Sequence, residues 1–206
     1  MQRYSFIFEY ANPLTIGEME LFDKIQVSFF QSVTTRTAGF ASVPQENLTN
    51  ASAAVSVILM LIGGSPAGTA GGMKTVTITV LICAAFATIR NKNSATLFGR
   101  CISDDSVKKA VAVVVMFLTI CASSTVLILA TSNASAIDAV YETVSATATV
   151  GLSRNFTATL NTFGKLIIIV TMYFGRVGPI SLAVALGRKN ESQNVISEPT
   201  EDISIG

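Results

Sequence analysis

Residues 55–80 read VSVILMLIGGSPAGTAGGMKTVTITV, a hydrophobic helical pattern interrupted by ten residues of which five are glycine. The interruption runs from Gly63 to Gly72, and Lys74 follows it. In lipid hydrocarbon every backbone N–H and C=O needs a partner inside the protein, so unwound backbone at that depth is tolerated only where it lines a cavity or a pathway. This glycine stretch (63–72) therefore predicts a polar route through a membrane.

The composition supports a membrane protein. Half of the 206 residues are hydrophobic, 13% are charged and the mean hydropathy is +0.56, whereas soluble domains are about 25% charged. A net charge of +1 gives no sign of a nucleic-acid partner, which would need a concentrated basic face. Histidine is absent from the sequence, and the three cysteines lack metal or redox spacing. We expect a multi-pass plasma-membrane protein with no enzyme activity and no covalently bound cofactor.

Three stretches are candidates for crossing the bilayer. Ala110–Ala130 holds 21 residues without a charge, which at about 1.5 Å per residue covers the roughly 30 Å hydrocarbon core. The stretch 51–89 contains the glycine stretch, and Leu166–Leu186 contains Arg176 and Pro179, so both are interrupted spans. The sequence thus predicts an all-α integral membrane protein.

Two shorter amphipathic stretches, Phe22–Ser32 and Ile137–Ser145, cannot reach across a membrane. Each is followed by a threonine and a glycine in an apolar setting, which is typical of a re-entrant helix that enters the membrane and turns back. Basic residues concentrate between positions 90 and 109 and again at 188–189. The positive-inside tendency places that connection and the C-terminus in the cytoplasm and the re-entrant stretches outside.

The chain also repeats itself at an offset of 112 residues. TAGF at 37–40 aligns with TVGL at 149–152, Met60 with Met172, and Gly63 with Gly175. The repeat predicts two units, each with an outer helix, a re-entrant helix, a turn and a second helix. The predicted boundaries are a first unit at 1–90 with a truncated outer helix, a turn at 35–40 and a broken second helix at 51–89, a cytoplasmic connection at 91–109, a second unit at 110–186, and a cytoplasmic C-terminal tail at 187–206.

Such a unit is the construction of a potassium-channel pore, in which backbone carbonyls at a Thr-Gly turn replace the water shell of the ion. Glycine suits the turn because a positive φ brings successive carbonyls to the axis and a Cβ would block the approach. The alternative is that small residues in membrane helices serve close packing. The candidate filter residues are Thr37, Ala38, Gly39, Thr149, Val150 and Gly151.

Four segments carry a family resemblance: FFQSVTTRTAGF (29–40), MLIGGSPAGTAGGMKT (60–75), YETVSATATVGLS (141–153) and MYFGRVGPISL (172–182). In this order they resemble the third and fourth pore units of the Trk/Ktr/HKT superfamily of potassium uptake proteins. The ending EPTEDISIG is more similar to the Ktr-type membrane subunit than to the longer Trk form. The resemblance implies four pore units around one pathway, a homodimer of membrane subunits in the lipid bilayer, and a cytosolic ring of nucleotide-binding regulatory subunits.

The resemblance also implies the transported ion and the gate. Filter glycines accompany a preference for K⁺, with Na⁺ as the alternative because the unit that distinguishes the two is absent from this chain. The glycine stretch would form a loop beneath the filter that obstructs the pore, together with an arginine of the fourth unit. The candidate gate residues are Gly63, Gly64, Ser65, Gly68, Gly71, Gly72 and Arg176.

The charged and glycine-rich candidates have simpler interpretations too. A guanidinium inside a span costs roughly 2.5–3.5 kcal/mol on insertion scales, so Arg176 is expected either to face the loop carbonyls as an electrostatic barrier or to snorkel to the interface. Arg154 is expected as a solvated charge at the outer mouth. The glycine stretch could be a kink between packed helices; a phosphate loop is disfavoured because Met73 stands where glycine is required.

Two other functions remain open at this stage. A secondary transporter for an organic solute could use the broken helix as its substrate site, although it has no need for two Thr-X-Gly turns. The chain could also be a non-conducting fragment, because the outer helix of the first unit would have to begin before residue 1. Four filter strands would need the missing N-terminal pore units or a second copy.

Overall fold

The computed structural model describes residues 3–65, 71–92 and 94–178. The regular secondary structure in these residues is helical apart from one short hairpin and one isolated bridge. The elements in chain order are α1 (Arg3–Glu9), α2 (Leu21–Thr34), a 3₁₀ turn (Gln45–Asn47), α3 (Asn50–Leu61), α4 (Thr75–Ile89), β1 (Thr96–Leu97), β2 (Arg100–Cys101), α5 (Asp104–Thr131), α6 (Ala136–Thr147), α7 (Phe156–Thr159) and α8 (Thr162–Val177).

Helix α5 has 28 residues and, among the described part of the chain, is the helix long and apolar enough to cross a membrane. It begins at Asp104, ahead of the uncharged stretch, because Ser103 caps it by accepting a hydrogen bond from the Ser106 amide. Asp104 and Asp105 lie in the first turn, where negative charge is favourable against the helix dipole. Helices α3 and α4 are shorter apolar helices.

The broken helix is interrupted between Leu61 and Thr75. The two ends of the interruption run side by side: Ile62 and Met73 form an isolated parallel bridge, and the Gly63 amide donates to the Met73 carbonyl over 2.8 Å. The two backbone segments at the ends of the interruption therefore hydrogen-bond to each other and do not continue the helix. Residues 66–70, which include the candidate Gly68, lie outside the described residues.

The helices of the two repeats pack into each other. Helix α6 contacts α3, α5 and α8, while α2 contacts α1. One apolar core therefore contains residues of both repeats, and some of these residues lie at the second Thr-Gly turn. Its buried members are Ala53, Met60, Met73, Phe117, Cys121, Tyr141, Val144, Ala148, Val150 and Leu152.

The connection between the repeats contains a hairpin that the sequence analysis did not predict. Strands β1 and β2 pair antiparallel, and Phe98 and Gly99 between them have φ of 49° and 75°. Two consecutive residues at positive φ are the signature of a tight type I′ hairpin turn. Helix α8 ends at Val177, and the expected span beyond Gly178 together with the tail at 187–206 lies outside the described residues.

Candidate functional site

The two Thr-Gly turns follow the C-terminal ends of α2 and α6 and meet each other. We call them the first turn (35–40) and the second turn (148–152). A Cβ built on Gly39 would lie 2.3 Å from the carbonyl oxygen of Val150, and one built on Gly151 would lie 3.8 Å from the Gly39 Cα. Because the atom that meets Gly39 belongs to backbone, a side chain there would displace the second turn.

Both turns have the same backbone conformation. Thr37 and Gly39 have φ of 65° and 76°, and Thr149 and Gly151 have φ of 54° and 89°. Positive φ is uncommon for a β-branched residue such as threonine and costs on the order of 1–3 kcal/mol. In each turn the residue between these two, Ala38 or Val150, is not at positive φ. Alternation of this kind rotates successive peptide planes so that their carbonyls point to one side of the chain.

The backbone amides of each turn donate hydrogen bonds to carbonyls of the same repeat. The Ala38 and Gly39 amides both donate to the Thr34 carbonyl, over 3.2 and 3.3 Å, and the Val150 amide donates to the Ser145 carbonyl over 2.9 Å. Among the described residues, no backbone amide donates to a carbonyl oxygen of the six candidate filter residues. These oxygens, on Thr37, Ala38, Gly39, Thr149, Val150 and Gly151, therefore form a set of acceptors that no backbone amide of the described residues satisfies.

Helix dipoles add to the negative potential at this point. Helices α2 and α6 end at Thr34 and Thr147, immediately before the two turns. The C-terminal end of a helix carries about half a negative elementary charge, from its unpaired carbonyls. Two such ends directed at adjacent turns favour a cation over an anion or a neutral solute.

A buried polar network holds the re-entrant helices together behind the turns. Gln31 of α2 donates to the Gln45 side chain over 2.6 Å, and the Tyr141 hydroxyl of α6 donates to the same Gln45 oxygen over 3.0 Å. Gln45 itself donates to the Val43 carbonyl over 2.8 Å. Sequence reasoning missed this network, although two of its members lie within the motifs quoted above.

Arg154 corrects the sequence-based expectation of a solvated charge. Its side chain is 9% exposed, and its Nε donates to Asp138 over 2.7 Å. One guanidinium nitrogen also donates to the Leu48 carbonyl over 3.2 Å. The expectation was wrong because the chain leaving the first turn passes next to the chain leaving the second, and Arg154 bridges them.

The described part of the glycine stretch lies against the second turn. A Cβ on Gly71 would fall 2.0 Å from the Thr149 hydroxyl oxygen and 2.6 Å from the Ala148 carbonyl oxygen. Gly63, near the start of the interruption, is buried. Ser65, two residues further along the chain, is exposed. The candidate gate and the candidate filter are thus in direct contact.

Two arginines lie near these segments. Arg36, at the start of the first turn, donates to the Gly63 carbonyl over 3.5 Å, a contact that sequence reasoning did not anticipate. Arg176 lies in the last turn of α8 with its side chain exposed in the chain alone. The preceding Gly175 packs so tightly on α6 that a Cβ there would come 2.1 Å from the Thr147 carbonyl oxygen. The bond expected between Arg176 and the loop carbonyls stays a prediction.

Comparison with known proteins gives a consistent relationship. Ktr system potassium uptake protein B of Bacillus subtilis is 38% identical over 201 residues, which cover 98% of this chain and 45% of that protein. Potassium/sodium uptake protein NtpJ of Enterococcus hirae is 34% identical over 206 residues, which cover 98% and 46%. The solved structure of the potassium transporter TrkH from Vibrio parahaemolyticus superposes with a TM-score of 0.75 at 19% identity, covering 88% of this chain and 40% of that one.

The structural likeness shows a shared fold, and the chain spans less than half the length of these relatives. The model of the family described as "TrkH: Cation transport protein" matches residues 4–198, nearly the whole sequence. The chain therefore belongs to the TrkH family of cation transport proteins, a family of membrane transporters and not of enzymes.

Proposed function

We propose that this chain supplies two of the four units of a potassium-conducting pore. The carbonyl oxygens of the first and second turns stand in for the hydration shell of K⁺, which passes down its electrochemical gradient without chemistry by the protein. The single observation that carries the proposal is the set of six carbonyls, at two touching turns, that accept no hydrogen bond from a described backbone amide. At membrane depth each unsatisfied group costs several kcal/mol, so an ion or water must occupy the space before them.

Potassium is the proposed ion, with sodium as its competitor. The relatives carry names that specify potassium uptake or potassium/sodium uptake. Both turns keep glycine at the position where the family resemblance associates glycine with potassium. A row of backbone carbonyls selects among ions through the number and the field strength of its oxygen ligands. It carries no net charge, which suits a monovalent cation.

Two turns cannot surround an ion, so further pore units complete the site. These belong either to the same polypeptide or to a second copy of the chain. The family resemblance supports a membrane homodimer with a cytosolic ring of nucleotide-binding subunits. The excess of basic residues between 90 and 109 supports a cytoplasmic position for that connection and for the C-terminus.

The glycine stretch, with Arg176, is the proposed gate of this pore. The close approach of Gly71 to Thr149 supports a loop beneath the filter, because any displacement of the loop changes its contact with the second turn. The described backbone between Leu61 and Thr75 is not helical, so such a movement does not require helical hydrogen bonds to break.

The test is potassium uptake by the full-length protein in a strain that lacks its own potassium uptake systems, followed with radioactive rubidium. Gly39→Ala should reduce uptake about tenfold or more, since 1.4 kcal/mol of strain already corresponds to that factor. Gly99→Ala is the matched control, because Gly99 also has positive φ but a Cβ there meets nothing within 4 Å. Normal uptake by Gly39→Ala, at an unchanged membrane level, would refute the filter.

A further inference from the structure

A cavity of about 290 Å³ lies between the C-terminal end of α4 and the hairpin. One wall is apolar and is formed by Cys83, Phe86 and Ala87 of α4. The polar part of the lining is formed by Arg90, Lys92, Ser94 and Thr96. The cavity lies at the end of α4 that is farther along the chain from the glycine stretch, and the proposed pore does not use it.

We propose that this cavity binds the headgroup of an anionic phospholipid of the cytoplasmic leaflet. Two cations and two hydroxyls can donate hydrogen bonds to one phosphodiester, and bonds to an ionised phosphate are about twice as strong as neutral ones. Among the residues that line the cavity, none carries a carboxylate that would repel the phosphate. The proposal depends on the membrane placement of α4, and it is independent of the filter.

The surroundings of the cavity have the character of a membrane–water interface. Ile89 at the end of α4 is 76% exposed, and Phe98 at the tip of the hairpin is 95% exposed. Helix α4 has no buried residue in this chain alone, and its exposed apolar side chains include Val76, Ile82 and Phe86. Exposed apolar side chains beside lysine and arginine are typical of segments that rest at the headgroup level.

A lipid fits the cavity better than free phosphate does. Both would use the same cations and hydroxyls, since the phosphate chemistry is shared. The apolar wall of Cys83, Phe86 and Ala87 would contribute nothing to inorganic phosphate, whereas it can pack against the glycerol and upper acyl carbons of a lipid. The five basic residues between positions 90 and 109 also attract the anionic leaflet as a whole.

The experiment measures lipid binding to the full-length protein in detergent by native mass spectrometry. Phosphatidylglycerol, phosphatidylcholine and inorganic phosphate are titrated separately. The double variant Arg90→Gln/Lys92→Gln should weaken phosphatidylglycerol binding about thirtyfold, from about 1 kcal/mol for each cation. The matched control, Lys108→Gln/Lys109→Gln, removes two charges from the same connection but outside the cavity and should leave binding within about twofold.

A second variant keeps all the charges. Ala87→Phe fills the apolar side of the cavity and should also weaken phosphatidylglycerol binding, while the fold is checked by an unchanged unfolding temperature. Equal loss in both double variants, or equal affinity for phosphatidylcholine, would overturn the proposal in favour of a diffuse electrostatic effect. Inorganic phosphate that binds as tightly as the lipid would also overturn the proposal. So would a change in potassium uptake by Arg90→Gln/Lys92→Gln with unchanged lipid binding, because the two cations would then act in a protein contact.

Discussion

Gly71 and Thr149 are 78 positions apart in the sequence, yet a Cβ on Gly71 would lie 2.0 Å from the Thr149 hydroxyl oxygen. One residue belongs to the interruption of the broken helix and the other to the second turn. Thr149 itself is held at a φ of 54°, an uncommon conformation for a β-branched residue. A neighbour of a strained residue can influence its conformation, so we expect the glycine stretch and the second turn to move as one mechanical unit.

Gly71→Ala should disturb that unit. The added methyl group meets the Ala148 carbonyl oxygen as well as Thr149, so the second turn or the loop must shift. We expect potassium uptake to fall about tenfold or the potassium over sodium preference to drop by a similar factor, corresponding to 1–2 kcal/mol. Rubidium uptake with and without competing sodium measures both. Gly99→Ala serves as the control, and parental uptake and selectivity in Gly71→Ala would contradict the coupling.

Arg154→Gln should destabilise the fold because the arginine bridges the two repeats. The change removes the 2.7 Å bond to Asp138 and the bond to the Leu48 carbonyl, and leaves the carboxylate partly buried. We expect a loss of about 1–3 kcal/mol in the free energy of unfolding, seen as a lower unfolding temperature of the purified protein. Lys109→Gln breaks a second ion pair of the described residues, to Asp105 over 2.6 Å, but that lysine side chain is 70% exposed.

Exposed ion pairs of this kind are worth at most about 0.5 kcal/mol, so Lys109→Gln should leave the unfolding temperature nearly unchanged. Equal effects of the two variants would mean that Arg154 does not fasten the repeats together. A double variant with Asp138→Asn adds a further check. If the pair acts as a unit, the second change should cost less once Arg154 has been replaced.

The network behind the turns predicts graded effects. Tyr141→Phe removes one hydrogen bond to Gln45 and should cost about 1 kcal/mol, whereas Gln45→Leu deprives Gln31, Tyr141 and the Val43 carbonyl of a partner and should cost about 2–3 kcal/mol. Both variants should also lower the preference for potassium over sodium, since the network spaces the two re-entrant helices. Thermal unfolding and competitive uptake measure these outcomes.

Tyr173→Phe is the control for the loss of a phenol, because Tyr173 is an exposed side chain of α8. It should change the free energy of unfolding by less than about 0.5 kcal/mol. A Gln45→Leu variant as stable as its parent would show that the three side chains are not an essential tie.

Sequence patterns could predict the elements of the candidate site because their signals are local. Glycine content locates the interruption after Leu61, and threonine followed by glycine locates the turns at the ends of two short amphipathic helices. The 112-residue offset adds that the turns are equivalent, and the structure brings Gly39 and Gly151 side by side. The alternation of positive φ at Thr37 and Thr149 could not be predicted, since threonine does not favour it.

Contacts between the repeats could not be predicted either, because no local sequence pattern marks them. Tyr141 meets Gln45 across 96 positions and Arg154 meets Leu48 across 106, and no periodicity relates those residues. The hairpin was not predicted because each of its strands has two residues, which is too short for an alternating pattern. The Phe98-Gly99 turn is then the whole sequence signal for it. Polar residues inside apolar segments were the available clue, because a buried amide or guanidinium implies an unseen partner.

Arg176→Ala tests the proposed electrostatic barrier at the gate. If the guanidinium faces the pathway, its removal should raise potassium uptake about fivefold, the factor that 1 kcal/mol of barrier represents. Arg176→Lys should stay close to the parent because it keeps the charge, and Arg100→Ala in the hairpin controls for the loss of an exposed arginine. Initial rates of rubidium uptake at equal membrane levels give the comparison. An Arg176→Ala variant no faster than its parent would remove the arginine from the gate, and the glycine stretch would then have to obstruct the pathway with its backbone alone.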